Sequence, residues 1–221
     1  MLMSDELQYY PEFFDPKDLH NAKDIILGVN GMTLEERWEK ETEWMRDALK
    51  SFRNFNKDSV VLDFGTGIGR LAKMIIEEFD CTVYGCDISR GMLDYSVEYV
   101  GSDKYHPIFF NELPNYKNFF TNITAAWVLQ HIPDSESAIR QLVECSRPKS
   151  YMFVTDLKFK SVPCLKDNSL IWGVDQNTSN RAILEKYYVP LTLGVLPESV
   201  FEGNTDNVVN NAWWGNLQLA N

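Results

Sequence analysis

The run Val60 to Arg70, V-V-L-D-F-G-T-G-I-G-R, sets an acid near the end of an apolar strand-like stretch and follows it with Gly65, Gly67 and Gly69, spaced two apart. Glycines at that spacing admit positive φ and leave the backbone bare, so a cofactor can lie against the turn. Asp63, two residues before the first glycine, can accept a hydrogen bond from an ammonium group. Asp87 stands 24 positions after Asp63, behind the strand-like run Cys81 to Cys86. An acid there is placed to bind a ribose hydroxyl pair. It can also cap the helix that follows, with Ser89 as the competing cap, and one carboxylate can do both. His131 is the best placed of only three histidines for removing a proton, since its ordinary pKa of about 6.5 suits that work. Its other reading is a helix-opening residue that orients its loop. His20 and His106 fall in covering and surface segments.

These residues need elements to hold them. Arg70 to Phe79 predicts a helix, with Leu71, Met74, Ile75 and Phe79 at offsets of three and four. A strand, a glycine turn and a helix make the nucleotide-binding corner of a doubly wound α/β fold. The dinucleotide fingerprint wants G-x-G-x-x-G; here the third glycine comes one residue early and Arg70 stands where the last glycine belongs. A plain tight turn is the remaining alternative. Further along, the pattern predicts a helix over Arg90 to Val100, a strand over Pro107 to Phe110, a strand over Ile123 to Val128, a helix over Ser135 to Cys145 and a strand over Tyr151 to Leu157.

The D-x-G-x-G-x-G string resembles the first motif of class I S-adenosylmethionine-dependent methyltransferases, and D-I-S-x-x-M-L-D, Asp87 to Asp94, resembles its continuation. L-Q-H-I-P-D, after Trp127, resembles the exit of the fourth strand in the small-molecule members of that family. The resemblance covers residues 58 to 160 and implies S-adenosylmethionine as cofactor. It implies that Asp63, Gly65, Thr66, Gly67 and Gly69 line the cofactor, that Asp87 binds its ribose, and that Ile88 and Met92 flank its adenine. Asn111 or Glu112, beside Leu113, is implied for the adenine amino group. Trp127 and Gln130 border the cofactor, and His131 faces the methyl group. The segment Arg37 to Thr42, R-W-E-K-E-T, resembles the covering helix, with Arg37 a candidate for the methionine carboxylate. The implied fold is a Rossmann-like, doubly wound, seven-stranded, mostly parallel sheet whose last strand is antiparallel.

At 221 residues the chain fits one domain able to bury a core without staples. Hydrophobic content of 44% and charged content of 24% exclude a disordered chain. No stretch approaches the roughly 18 apolar residues of a spanning helix, and the amino end lacks a basic, then apolar, leader pattern, so the expected location is the cytoplasm. Twenty-one basic against 32 acidic residues give a net charge of -11, and no basic run carries interleaved aromatics. That field repels nucleic acid and suits a neutral or cationic small molecule. Cys81, Cys86, Cys145 and Cys164 lack paired metal-site spacing and read as reduced and buried. No acid pair has the spacing of a magnesium site, so no metal is expected.

Residues 1–57 form the expected helical lid, 58–160 the cofactor core and 161–221 a substrate loop with the last strands. In the lid, Thr33 with Glu36 makes a capping box for a helix reaching Phe52. Tyr9, Tyr10, Phe13 and Phe14 can wall a pocket beside a sulfonium or staple the lid. Cys164 to Thr178 shows no clear period and reads as a loop, from which Trp172 or Asp175 can touch substrate. Ser179 to Tyr188 reads as a helix, Val189 to Leu196 as an edge strand because of Pro190, and Asn211 to Leu219 as a strand. Asn204, Asn207, Asn210, Asn211, Asn216 and Asn221 read as turn chemistry. Three functions are thus open: methyl transfer from S-adenosylmethionine to a small-molecule oxygen or nitrogen by direct displacement, cofactor binding without catalysis, and nicotinamide-dependent redox chemistry, which the glycine spacing disfavours.

Overall fold

The computed structural model describes residues 7–27, 33–201 and 210–220. A seven-stranded sheet runs through it. Its strands, in chain order, are β2 (Val60–Phe64), β3 (Thr82–Asp87), β4 (Tyr105–Phe109), β5 (Phe120–Ala126), β6 (Ser146–Leu157), β9 (Tyr188–Gly194) and β10 (Ala212–Leu219). The spatial order is β4-β3-β2-β5-β6-β10-β9. β2 to β6 pair in parallel, and β10 is antiparallel to both β6 and β9. Val61, Leu62 and Phe64 of β2 are buried, as a strand covered on both faces requires.

The helices start where local chemistry starts them. The Thr33 hydroxyl accepts from Glu36 N at 3.2 Å and the Glu36 carboxylate accepts from Thr33 N at 2.9 Å, closing the expected box before α2 (Leu34–Phe52). Gly69 opens α3 (Arg70–Phe79). The cap of α4 (Arg90–Val100) is Ser89, which accepts from Met92 N at 3.1 Å, so Asp87 is left for other work. Asp134 caps α5 (Ser135–Cys145), and Ser179 caps the short α6 (Asn180–Leu184). That last helix ends earlier than the sequence suggests because Tyr188 already belongs to β9. β9 lies at the sheet edge, where Pro190 is tolerated.

One core packs α5 and α6 against one face through Ile139, Leu142 and Leu184. A second packs α2 and α3 through Met45, Leu49, Met74 and Ile75. All four cysteines are free and buried. Asn210 and Asn211 form the turn into β10, whereas Asn216, also read as turn chemistry, is buried within β10, where its Oδ1 accepts from Asn54 Nδ2; Asn204, Asn207 and Asn221 lie outside the described residues. No helix among the described residues is long and apolar enough to cross a membrane.

The expected loop after β6 is a correction. Residues 160–175 form a hairpin, β7 (Lys160–Lys166) and β8 (Ser169–Asp175), in register from Lys160↔Asp175 to Lys166↔Ser169. The turn is Asp167–Asn168, both with positive φ (49° and 61°), the pairing two-residue hairpins prefer. β1 (Gln8–Tyr9) adds to β7 as a third strand. This small sheet joins the chain's amino end to the carboxyl side of the main sheet.

Candidate active site

Between β2 and β5 the strand order reverses, and the carboxyl ends of the strands open a crevice there. The turn after β2 is stitched to β3 by Gly65 N and Thr66 N, which both donate to the Cys86 carbonyl at 2.8 and 3.0 Å. Gly65 and Gly67 have φ of 73° and 54°. A Cβ on Gly65 would lie 2.5 Å from Val128 Cγ2, and one on Gly67 would lie 2.7 Å from Ile26 Cδ1, so at these positive φ values a side chain at either position is strained and crowded. Asp87 Oδ2 accepts from Gly67 N at 2.9 Å and its Oδ1 from Ser89 N at 3.0 Å. Burial raises its pKa against these hydrogen bonds. Each oxygen keeps a lone pair for a hydroxyl.

A cavity of about 350 Å³ lies over this turn. Its floor includes Phe64, Gly65, Gly67, Cys86, Asp87, Ile88, Met92 and Phe110, and its side wall runs from Ala126 through Val128 and from His131 to Pro133. Its roof is Tyr9, Pro11, Phe14, Ile25 and Ile26, from β1, the 3-10 turn Pro11–Phe14 and α1 (Leu19–Ile26). Two latches hold the roof: Tyr10 N donates to the Pro163 carbonyl at 3.0 Å, and the Ser89 hydroxyl donates to Asp15 at 2.6 Å. Desolvation, then Glu12 and Asp87, push the Tyr9 hydroxyl up to about 12.

Trp127 closes one side at a backbone φ of 59°, a left-handed conformation that a bulky residue adopts only when its surroundings impose it. Its N donates to the Thr155 carbonyl at 2.9 Å and its Nε1 to Glu41 Oε1 at 2.7 Å. Glu41, fully buried in α2, also takes Arg70 at 2.9 Å and Arg37 at 3.3 Å. Desolvation raises its pKa, but the two guanidiniums and the hydrogen bonds outweigh that and leave it lowered.

His131 sits in the 3-10 turn Leu129–His131. Its Nδ1 is 2.6 Å from the Ser161 carbonyl, so that nitrogen carries the proton, and Nε2, 3.2 Å from Gln130 Nε2, accepts from the amide. Burial pushes its pKa down to about 4, against the Ser161 bond. Gln130 N in turn donates to Asp156 Oδ1 at 2.9 Å, and Asn180 Nδ2 donates to Asp156 Oδ2 at 2.9 Å. The rings of Phe14 and Trp172 stand 5.7 and 5.5 Å from that of His131, and Phe13 stands 5.1 Å from Trp172.

A family model described as a methyltransferase domain matches residues 37–189, well over half of the chain. The chain belongs to the class I S-adenosylmethionine-dependent methyltransferases. It is 28% identical over 112 residues to Phosphoethanolamine N-methyltransferase 2 of Caenorhabditis elegans, a match covering 48% of this chain and 26% of that one. It is 26% identical over 130 residues to Methyltransferase GfsG of Streptomyces halstedii, covering 56% and 45%. The chain thus spans about a quarter and under half of the lengths of these two relatives. A crystal structure of a SAM-dependent methyltransferase from Aquifex aeolicus shares the fold at a TM-score of 0.60 and 19% identity, over 92% of this chain and 99% of that one.

S-adenosylmethionine, the cofactor of this family, fits the residues present in the methyltransferase. The bare glycine turn leaves room for it, Asp87 offers acceptors for the ribose hydroxyls, and Ile88, Met92 and Phe110 are apolar surfaces suited to adenine. Of the residues singled out in the sequence, Gly65, Gly67, Asp87, Ile88, Met92, Trp127 and His131 meet at the cavity. Others stand behind it. Asp63 is buried, with its oxygens taken by the hydroxyls of Thr66 and Thr124, both at 2.7 Å, and burial raises its pKa. Gly69 packs on α4, where a Cβ would lie 2.4 Å from Val100 Cγ2. Arg37 is in the Glu41 cluster and Gln130 in the Asp156 network. Asn111 is exposed, Glu112 accepts from Phe109 N at 2.7 Å and Leu113 lies in the core, while Phe110 reaches the cavity. Asp175 is buried against Asn177 N and the Thr178 hydroxyl and does not line the cavity. Sequence reading missed Ile25 and Ile26, which carry no local signal. It also missed Glu41, which reads as the ordinary i,i+4 partner of Arg37.

Proposed function

We propose that the methyltransferase moves a methyl group from S-adenosylmethionine to a small-molecule oxygen or nitrogen by direct displacement. The observation that carries this reading is the cavity at the strand-order reversal, with Asp87 and the glycine turn on its floor and an aromatic roof above. When bound, S-adenosylmethionine supplies a methyl group on a positively charged sulfur, open to in-line attack. Asp87 binds the ribose hydroxyls, and Gly67 N, already donating to Asp87, keeps that carboxylate aimed. Tyr9, Phe14 and Trp127 exclude water and present ring faces to positive charge. His131 forms part of the acceptor wall. Residues 7–27 act as the cover over the site, and Arg37 acts through Glu41 to hold that side of it.

Calorimetric titration with S-adenosylmethionine and S-adenosylhomocysteine tests the site. The wild type should bind both, Asp87→Ala should bind at least tenfold more weakly, and Gly67→Val should not bind. A folded wild type that binds neither would overturn the reading. The latched roof favours a second reading, binding without transfer, because Ile26 already lies over Gly67. Formation of S-adenosylhomocysteine in the presence of an acceptor separates the two.

A further inference from the structure

We propose that Gln130 is a positioning residue for the charged form of the cofactor: its amide locks His131 as a neutral imidazole with the proton on Nδ1, and so keeps a second positive charge out of the sulfonium's cavity. This rests on the reading that the cavity is the site of methyl transfer.

The lock is a chain of polar groups whose two ends have fixed roles. Leu157 N can only donate, and it reaches Gln130 Oε1 at 3.4 Å. The Gln130 amide therefore turns its NH2 toward His131, with the two Nε2 atoms 3.2 Å apart. That NH2 can only donate, so the ring nitrogen facing it is bare and accepts. At the other end the Ser161 carbonyl can only accept, and it lies 2.6 Å from His131 Nδ1, which therefore carries the proton. Both ends demand the same tautomer. A second proton, on Nε2, would point at the NH2 donor. Turning the amide over to accept that proton would set its NH2 against the Leu157 N–H. Burial acts in the same direction and holds the His131 pKa down to about 4.

Gln130 has little freedom to relax. It is buried, its own N donates to Asp156 Oδ1 at 2.9 Å, and Asn180 Nδ2 holds Asp156 Oδ2 at 2.9 Å. The turn Leu129–His131 is thus tied to the end of β6 by Asp156 and Leu157, to α6 by Asn180 and to β7 by Ser161. Among the described residues, the charged side chains on the elements packed at this turn are Asp156 of β6, Lys160 of β7, Asp175 of β8, Asp134 ahead of α5, and Glu12 and Asp15 beside Phe14. Lys160 stands among Asp175, Asp134 and Asp156 and donates to the Pro133 carbonyl, and Asp15 accepts from the Ser89 hydroxyl. Asp87 lines the cavity floor.

His131 lines the same cavity of about 350 Å³ as the glycine turn and Asp87. S-adenosylmethionine carries a sulfonium into that cavity, whereas S-adenosylhomocysteine carries a neutral thioether on the same frame. Charges that share so small and largely apolar a space are weakly screened from each other. An imidazolium at His131 would therefore weaken binding of the first form and leave the second unaffected. The neutral ring that Gln130 enforces spares the methyl donor this repulsion.

Proton–nitrogen NMR of the imidazoles reads tautomer and charge directly, and the signal of His131 is told from those of His20 and His106 by its loss in His131→Gln. In the wild type His131 should keep its proton on Nδ1 and a bare Nε2 from pH 7.5 down to 5.5. Gln130→Glu puts an acceptor where the NH2 stood and should bring the His131 midpoint into that range. Calorimetry then gives Kd for S-adenosylmethionine and S-adenosylhomocysteine. Their ratio in Gln130→Glu, divided by the wild-type ratio at the same pH to cancel the ligands' own ionisation, should rise at least fivefold as pH falls through the His131 midpoint. Adding His131→Gln to that variant should flatten the profile. A wild-type His131 that carries its proton on Nε2 or titrates above pH 5.5 would overturn the proposal, and this needs no variant to fold. So would an unchanged His131 in Gln130→Glu, or a ratio that does not follow its midpoint. A wild type that binds neither cofactor form while His131 keeps its Nδ1 proton would instead overturn the cofactor site.

Discussion

Asp156, buried, and His131, half-buried, are joined through Gln130 and pull stability in opposite directions with pH. Burial holds Asp156 up to about 7, above its ordinary 3.8, although Asn180, the N–H groups of Gln130 and Leu157, and Lys160 oppose it. Between those values the folded chain keeps a proton that the unfolded chain has released, so stability falls as pH rises through that window. His131, pushed down to about 4, stays neutral where an unfolded histidine takes up a proton, so stability falls as pH drops from 6.5 toward 4. Asp156→Asn removes the first effect. Rotating the Asn180 amide would turn its Oδ1, which has no partner among the described residues, toward the new amide. Urea midpoints from pH 4 to 8 should show the variant gaining on the wild type as pH rises. Parallel profiles would mean that Asp156 is ionised throughout.

Among the elements, α2 does more than pack. Through Glu41 it fixes the amino end of α3 by Arg70 and the strained residue after β5 by Trp127. Glu41→Ala removes the carboxylate shared by two buried guanidiniums and an indole, and should cost about 3–5 kcal/mol of stability. Chemical denaturation should show that loss, and S-adenosylmethionine affinity should fall with it because Trp127 lines the cavity. A change under about 1 kcal/mol would place this network in the category of exposed pairs. The helices over Arg70–Phe79, Arg90–Val100 and Ser135–Cys145 were legible because an amphipathic stripe repeats within each segment. The β7–β8 hairpin was not. Pro163 and Gly173 argue against strands, and the Asp167–Asn168 turn lacks the glycine that marks such turns. Its pairing with β1, across more than 150 residues, leaves no local trace at all.

At the scale of the molecule, a net charge of -11 surrounds a cavity whose one lining carboxylate among the described residues is Asp87. Such a field raises the encounter rate of a cationic acceptor and is screened by salt. The Debye length falls from about 30 Å at 0.01 M to about 3 Å at 1 M ionic strength. Across that range kcat/KM for a cationic amine should fall several-fold while kcat holds. A flat dependence would show that encounter owes nothing to the field.

The sequence by itself determined the cofactor corner, since strand, glycine turn, helix and the acid after the next strand lie within about 30 residues and each acts through its neighbours. It also determined the parallel order of the central strands and the edge position of Pro190. The sequence offered the amino-terminal segment, with Tyr9 and Phe14, and also Trp172 as candidate covers; only the tertiary structure decided which of them reach the site. Tyr9, Phe14 and Ile26 reach it from the amino end, and Trp172 reaches its rim from the hairpin, because strand pairing brings them there. It likewise decided which polar groups are spent. Asp63, Gln130 and Arg37 carry site-like chemistry in the sequence, but each is turned toward a buried partner that only long-range packing supplies.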